Sequence, residues 1–239
     1  MPRGYMNLQE LAGFIGMDQR RAERMAQRGQ IPCRKVGGQL RFNRAEITEW
    51  LQQRMGSLGQ TPLANVDAGI TAHRQINPED ALITPLLRAE AVATRLPART
   101  KNSVLRELVA LARKTELLYD GEALLEALIK REELCSTAME AGIAIPHPRR
   151  PLPHAIADSI LVIAHTSSGI GFGAPDGGLT DLFFMTCSQD DRYHLHVLAR
   201  LCRMLHNGKL AAALRNADGG EEIVRLMRDR EAQILAESP

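Results

Sequence analysis

The chain has 239 residues, is 44% hydrophobic and carries a net charge of only +2. That length buries one or two cores, with two favoured at about 150 residues per domain, while the longest clean apolar runs, 160–164 and 182–185, fall far short of the ~18 residues a membrane helix needs. With no secretory apolar core near its start and no C-x-x-C pair among Cys33, Cys135, Cys187 and Cys202, the chain reads as cytoplasmic, without a membrane span, zinc site or disulfide scaffold, its cysteines expected as buried free thiols.

Charge is unevenly shared: residues 1 to 54 hold ten Lys/Arg and five Asp/Glu, a balance of +5, so the remainder sums to −3. A basic first quarter suits a polyanion partner. Asn7, with Glu10 three residues on, predicts a helix start for Leu8, Leu11, Ala12 and Ile15, stopped by Gly16. Asp18 caps a second helix in which Ala22, Met25 and Ala26 face inward while Gln19, Arg20, Arg21, Arg24, Gln27 and Arg28 face out, and Gly29 closes it. Two short extended runs, 33–36 and 40–42, flank Gly37-Gly38-Gln39 as a hairpin. Asn43 with Glu46 opens a third helix carrying Ile47, Trp50 and Leu51, and Phe42 and Trp50 are read as core aromatics.

Helix, tight turn, Arg-rich helix, hairpin and helix is the layout of a winged helix-turn-helix, whose second helix enters the major groove while the hairpin lies on phosphates. The pieces G-x-I-P, V-G-G, R-F and acid-x-x-x-Trp-Leu, in order over some fifty residues, resemble the excisionase-type members of the MerR-like helix-turn-helix group. The resemblance implies that double-stranded DNA is a partner, met by Gln19, Arg20, Arg21, Arg24 and Arg28, with Lys35 and Arg41 on the wing. Palindromic sites would favour a homodimer. The segment 1–54 is therefore assigned as a DNA-binding domain.

Residues 55–79 carry Gly56, Gly59, Pro62, Gly69 and Pro78 without a sustained period, and are expected to be a flexible linker. From residue 80 helical and extended patterns alternate. Val104, Leu105, Leu108, Leu111 and Ala112 share one helical face, and Leu124, Leu125, Leu128 and Ile129 another. The runs SILVIAH and DLFFMTC read as strands covered on both faces, and HLHVLARLCRML as a further helix. An α/β domain with a covered central sheet follows.

His147 stands between Pro146 and Pro148, with Arg149 and Arg150 next. It reads as a structural histidine, a metal ligand or a phosphoryl acceptor. A metal site would want more donors, and His194-x-His196 on a helix points two ways, so neither metal nor cofactor is expected. Unprotonated imidazole accepts phosphoryl groups near neutral pH. The glycines of GIGFG miss the dinucleotide spacing and read as a turn.

The blocks REELCSTAMEAGIAIPH, GFGAPDGGLTDLFF and HLHVLARL, with LITPLLRAEAVATRLPARTKNSVLRELVAL and LYDGEALLEALIKREE upstream, are similar to enzyme IIA of the bacterial phosphotransferase system, of the mannitol/fructose and nitrogen-regulatory type. The likeness covers residues 80–236. It implies a central mixed sheet covered by helices on both faces, a phosphorylated His147, a phosphoryl-clamping Arg131 and a second active-site histidine at His194. It implies a histidine phosphocarrier protein as donor and a IIB component or a regulated protein as onward partner. Pro148 departs from the small residue usual in the family and removes an amide donor beside the ring. Thr137 and Asp176 stand as supporting groups of the site or as capping and turn residues. With no permease or IIB stretch joined to it, the chain is expected to be a regulator, the alternatives being a carrier that passes phosphate to IIB and a non-catalytic DNA-tethered module.

Overall fold

The computed structural model describes residues 4–73 and 82–237. The first segment begins with strand β1 (Tyr5–Met6) and helix α1 (Leu8–Phe14), where Asn7 and Glu10 form the expected capping box, worth about 1 kcal/mol for the Asn side chain. Helix α2 (Gln19–Gln27) starts at Asp18, whose carboxylate accepts from Arg21 N at 3.0 Å, and buries Ala22 and Ala26. Strands β2 (Arg34–Val36) and β3 (Gln39–Asn43) form the hairpin. Its turn is Gly37-Gly38, with φ of +58° and +78°, a pair that residues with a Cβ adopt at a cost. β3 also pairs with β1. Helix α3 (Arg44–Met55) begins at Asn43, whose side chain accepts from Ala45 N and Glu46 N. Phe42 is fully buried, whereas Trp50 is half-buried and donates to Gln30 O at 2.8 Å.

The expected flexible linker is corrected over residues 60–73, which form helix α4 (Gln60–His73). Leu63, Val66 and Ile70 fall on one face and are buried, so packing outweighs the poor helix propensity of Gly, Asn and Pro. One face meets α1 and, at very short range, the turn after it: a Cβ on Gly69 would stand 2.8 Å from Gly16 Cα, and one on Gly16, at φ +60°, would stand 1.8 Å from Asn65 O. The other face meets helix α7, described below. Of the rest of that expected linker, Met55 closes α3 and 56–59 form the turn that follows it, while 74–79 lies outside the described residues.

In the second segment, strand β4 (Leu87–Ala93), helices α5 (Lys101–Arg113) and α6 (Gly121–Leu134), strands β5 (Ile143–Ala144), β6 (Ile160–Ile170) and β7 (Thr180–Cys187), and helices α7 (Asp191–Leu205), α8 (Lys209–Arg215) and α9 (Gly220–Ala236) follow in order. The sheet order is β4-β6-β7-β5, mixed, with β6–β7 antiparallel and the two outer pairs parallel.

Strand periodicity splits the sheet's side chains between two layers. Ile160, Val162, Ala164, Phe183 and Met185 pack with α5 and α6, while Leu161, Ile163, Leu182 and Phe184 pack with α7, α8 and α9. Helices therefore cover both faces, and each large buried side chain contributes roughly 1.5–3 kcal/mol. The second layer is continuous with Leu11, Phe14, Ile47 and Leu51 of the first segment and with Leu63 and Ile70 of α4. α4 thus joins the two parts through packed apolar surface.

Candidate functional site

His147 lies just beyond the short edge strand β5, which runs parallel to β7 through the register Ile143↔Leu182 and Ala144↔Phe183. The preceding turn places Ala141 and Gly142 both at positive φ, and Arg215 holds it by donating to Ala141 O at 2.7 Å while pairing with Asp181. Backbone bonds continue past the strand, from Ile145 N to Thr137 O at 3.1 Å and from Thr186 N to Pro146 O at 3.0 Å. Pro146 and Pro148 stiffen the segment further. The imidazole is therefore carried on backbone pinned on both sides.

The ring is 4% exposed, and its Nδ1 lies 2.7 Å from Ile145 O. A carbonyl only accepts, so Nδ1 carries the proton and Nε2 presents its lone pair. Nε2 is buried and has no hydrogen-bond partner. Burial holds the His147 pKa well below its ordinary value of 6.5, with His194 and Arg131 lowering it further and the Ile145 hydrogen bond opposing. The histidine is consequently neutral at pH 7.

His194 enters from the first turn of α7, its ring centroid 5.2 Å from that of His147 at an interplanar angle of 55°. Arg131, in the last turn of α6, is 6% exposed and donates from Nη1 to Cys135 O at 2.7 Å. Burial lowers its pKa, with Glu132 opposing; a guanidinium keeps its charge regardless. Thr137 donates to Glu132 through Oγ1 at 2.6 Å and through its backbone N–H, and Glu132 also pairs with Lys101 at 3.2 Å. His147, Arg131, Ser136, Thr137 and Ile145 line one small cavity. A neutral nucleophile beside a fixed guanidinium is an arrangement that can receive a phosphoryl group and hold its oxygens.

Arg149 and Arg150 do not join that cavity. Both are exposed, and Arg149 Nη2 lies 2.5 Å from Glu49 Oε2 of α3. His196 points away from His194, toward Asp67 of α4 at 3.5 Å; His165 stands beside Asp181 and His154 is exposed. Asp176 accepts from Gly178 N at 2.9 Å, a turn role. Among the described residues no cluster of His, Cys, Asp or Glu could hold a metal. Of the cysteines expected to be buried, Cys187 and Cys202 are, with burial pushing each thiol up to about 12. Cys33 is only half-buried and Cys135 is exposed at the end of α6, where helix termination turns it outward.

Gln19, Arg20, Arg21, Arg24 and Arg28 are all exposed along α2, and Lys35 is exposed on the hairpin. Arg41 is half-buried and donates to Gln39 Oε1 at 2.6 Å. Arg21 also borders a groove with Asp18, Trp50 and Arg54. Neither α2 nor the hairpin contributes a residue to the His147 cavity.

The cavity has a wall that sequence reasoning missed. Gln52, Gln53, Met55 and Gly56 from the end of α3 line it too. Glu49 and Gln52 are three residues apart, hence on one helical face. That spacing was available in the sequence, but nothing in it said which surface the face would meet.

Comparison with known proteins gives two family matches. Residues 85–230 match the model described as phosphoenolpyruvate-dependent sugar phosphotransferase system, EIIA 2, and residues 5–55 match a helix-turn-helix domain. A nitrogen regulatory protein of Bradyrhizobium diazoefficiens is 33% identical over 148 residues, covering 61% of this chain and 94% of that protein. The fructose-specific EIIABC component of Bacillus subtilis is 26% identical over 151 residues, which cover 62% of this chain but only 23% of that much longer protein. The crystal structure of nitrogen regulatory protein IIA-Ntr from Neisseria meningitidis superposes with a TM-score of 0.54 at 24% identity, over 61% of this chain and 98% of that one.

Proposed function

Since the chain belongs to the phosphoenolpyruvate-dependent sugar phosphotransferase system EIIA 2 family and carries a helix-turn-helix domain before it, we propose that it is a phosphotransferase-system regulator that accepts a phosphoryl group on His147. The donor is a histidine phosphocarrier protein, and the head, residues 1–54, binds double-stranded DNA. The observation that carries the first part is the buried, unpartnered Nε2 of a neutral His147 opening onto the Arg131 cavity.

Because Nε2 is buried behind the end of α3, that wall must give way for the carrier to approach; the Nε2 lone pair then attacks phosphorus in line as the phosphorus–nitrogen bond to the carrier's histidine breaks. The carrier's ring recovers the electron pair. No proton crosses at Nε2; the Nδ1 proton stays on its bond to Ile145 O, where it shares the positive charge the ring acquires. Arg131 binds the equatorial oxygens as charge spreads over them, the kind of contact whose loss costs about 10²–10³-fold in rate. His194 packs against the acceptor ring and holds its orientation.

DNA binding is supported by the basic exposed face of α2 and by the helix-turn-helix match. The nitrogen-regulatory relative favours regulation as the output. Incubation with phosphoenolpyruvate, enzyme I and the histidine phosphocarrier, followed by intact-mass analysis, tests the acceptor role. One acid-labile phosphate on the full chain and none on His147→Ala is expected. Equal labelling of the two would place the phosphate elsewhere and overturn the assignment.

A further inference from the structure

We propose that the phosphoryl pocket is built by both parts of the chain, with Gln52 of α3 donating its amide to the phosphoryl group on His147. This rests on His147 being the acceptor.

Buried polar atoms in folded proteins mostly find partners, and one that does not calls for an explanation such as a catalytic role or a bound group. Two such atoms belong to residues on the same cavity: His147 Nε2, which offers a lone pair, and Gln52 Nε2, which offers protons. Gln52 is 8% exposed and His147 4%. The two are not bonded to each other. A group attached to the first and presenting acceptor oxygens to the second satisfies both, and a phosphoryl group does so while also meeting Arg131.

The head is held where this works. Glu49, one turn before Gln52, pairs with Arg149 at 2.5 Å. Gly56, just past the end of α3, lies so close to the body that a Cβ there would stand 2.9 Å from Met139 Cγ. α3 also packs on α7, the helix that carries His194. Loading His147 therefore adds a contact between body and head, and the phosphorylated state grips α3 more firmly than the free one. The DNA-facing side of α2 is left open, so the phosphoryl group acts on how the head is held and not on whether its basic face is exposed.

The test compares the full chain with Gln52→Leu and Gln52→Glu, each equilibrated with the phosphorylated phosphocarrier, reading the ratio of loaded to free protein by intact mass. Loss of a hydrogen bond to a charged group lowers that ratio about tenfold in Gln52→Leu, and more in Gln52→Glu, where a carboxylate faces the phosphoryl oxygens. The melting temperature of unphosphorylated Gln52→Leu should not fall below the parent's, since the change removes a buried donor without a partner, and this separates the effect from damage to the fold. Backbone hydrogen exchange over residues 44–55 should slow on loading of the parent chain and not of Gln52→Leu. A Gln52→Leu protein that loads like the parent, or α3 exchange unchanged by loading, overturns this inference and leaves the acceptor standing. No phosphate on the parent, under conditions that load another IIA protein, removes the acceptor and the inference together.

Discussion

An imidazole can act as a directed nucleophile only if one nitrogen is committed elsewhere and the ring is kept from taking a proton. Ile145 O supplies the first condition at 2.7 Å, and burial, with His194 and Arg131, the second. Because the His147 pKa is depressed in the folded chain, its ring should show no titration step near 6.5 when followed by NMR. Below pH 6.5 the unfolded chain binds a proton that the folded one refuses, so stability falls as pH drops from 6.5 toward the folded value. Replacing His147 by Ala should reduce that slope. A His147 resonance titrating at 6.5 would contradict the burial argument and its consequence for reactivity.

At the scale of elements, α4 decides how the parts relate. Asp67 is 1% exposed and is met by Arg200 Nε at 2.7 Å and Arg203 Nη1 at 3.1 Å, while Arg200 also reaches Glu231 at 3.1 Å. Glu231 in turn accepts from the backbone N–H groups of Ile83 and Thr84. Buried charges of this kind are costly to orphan, so Asp67→Ala should lower stability by about 3–5 kcal/mol in a denaturant titration. A loss under 1 kcal/mol would mean that α4 behaves as the tether its composition suggests. The periodicity of Leu63, Val66 and Ile70 was visible in the sequence, but Pro62 before them and Asn65 and Gly69 among them obscured it, and nothing local showed that an acid at 67 would meet two arginines from residues 200 and 203. By contrast the caps at Asn7, Asp18 and Asn43 and the Gly37-Gly38 turn were legible, because their physics is complete within four residues.

For the molecule as a whole, the two-part organisation and the covered mixed sheet were readable from alternating patterns and from motif blocks. The contact between α3 and the His147 cavity was not, since docking depends on shapes that meet about a hundred residues apart, as Glu49 and Arg149 do. That His147, His194 and Arg131 would come together was legible through the motif blocks; the wall provided by Gln52 was not. The basic face of α2 predicts that Arg20→Ala combined with Arg24→Ala reduces the slope of log affinity against log salt by about 2 on duplex DNA. An unchanged slope would show that these arginines do not meet phosphates.

The most direct measurement is isotope-edited NMR of the imidazoles in the full chain after loading by the phosphocarrier. A phosphorus–nitrogen bond at Nε2 of His147, with Nδ1 still protonated, is the expected result. Phosphate on Nδ1, or on any other histidine, would contradict the geometry on which the proposed transfer rests.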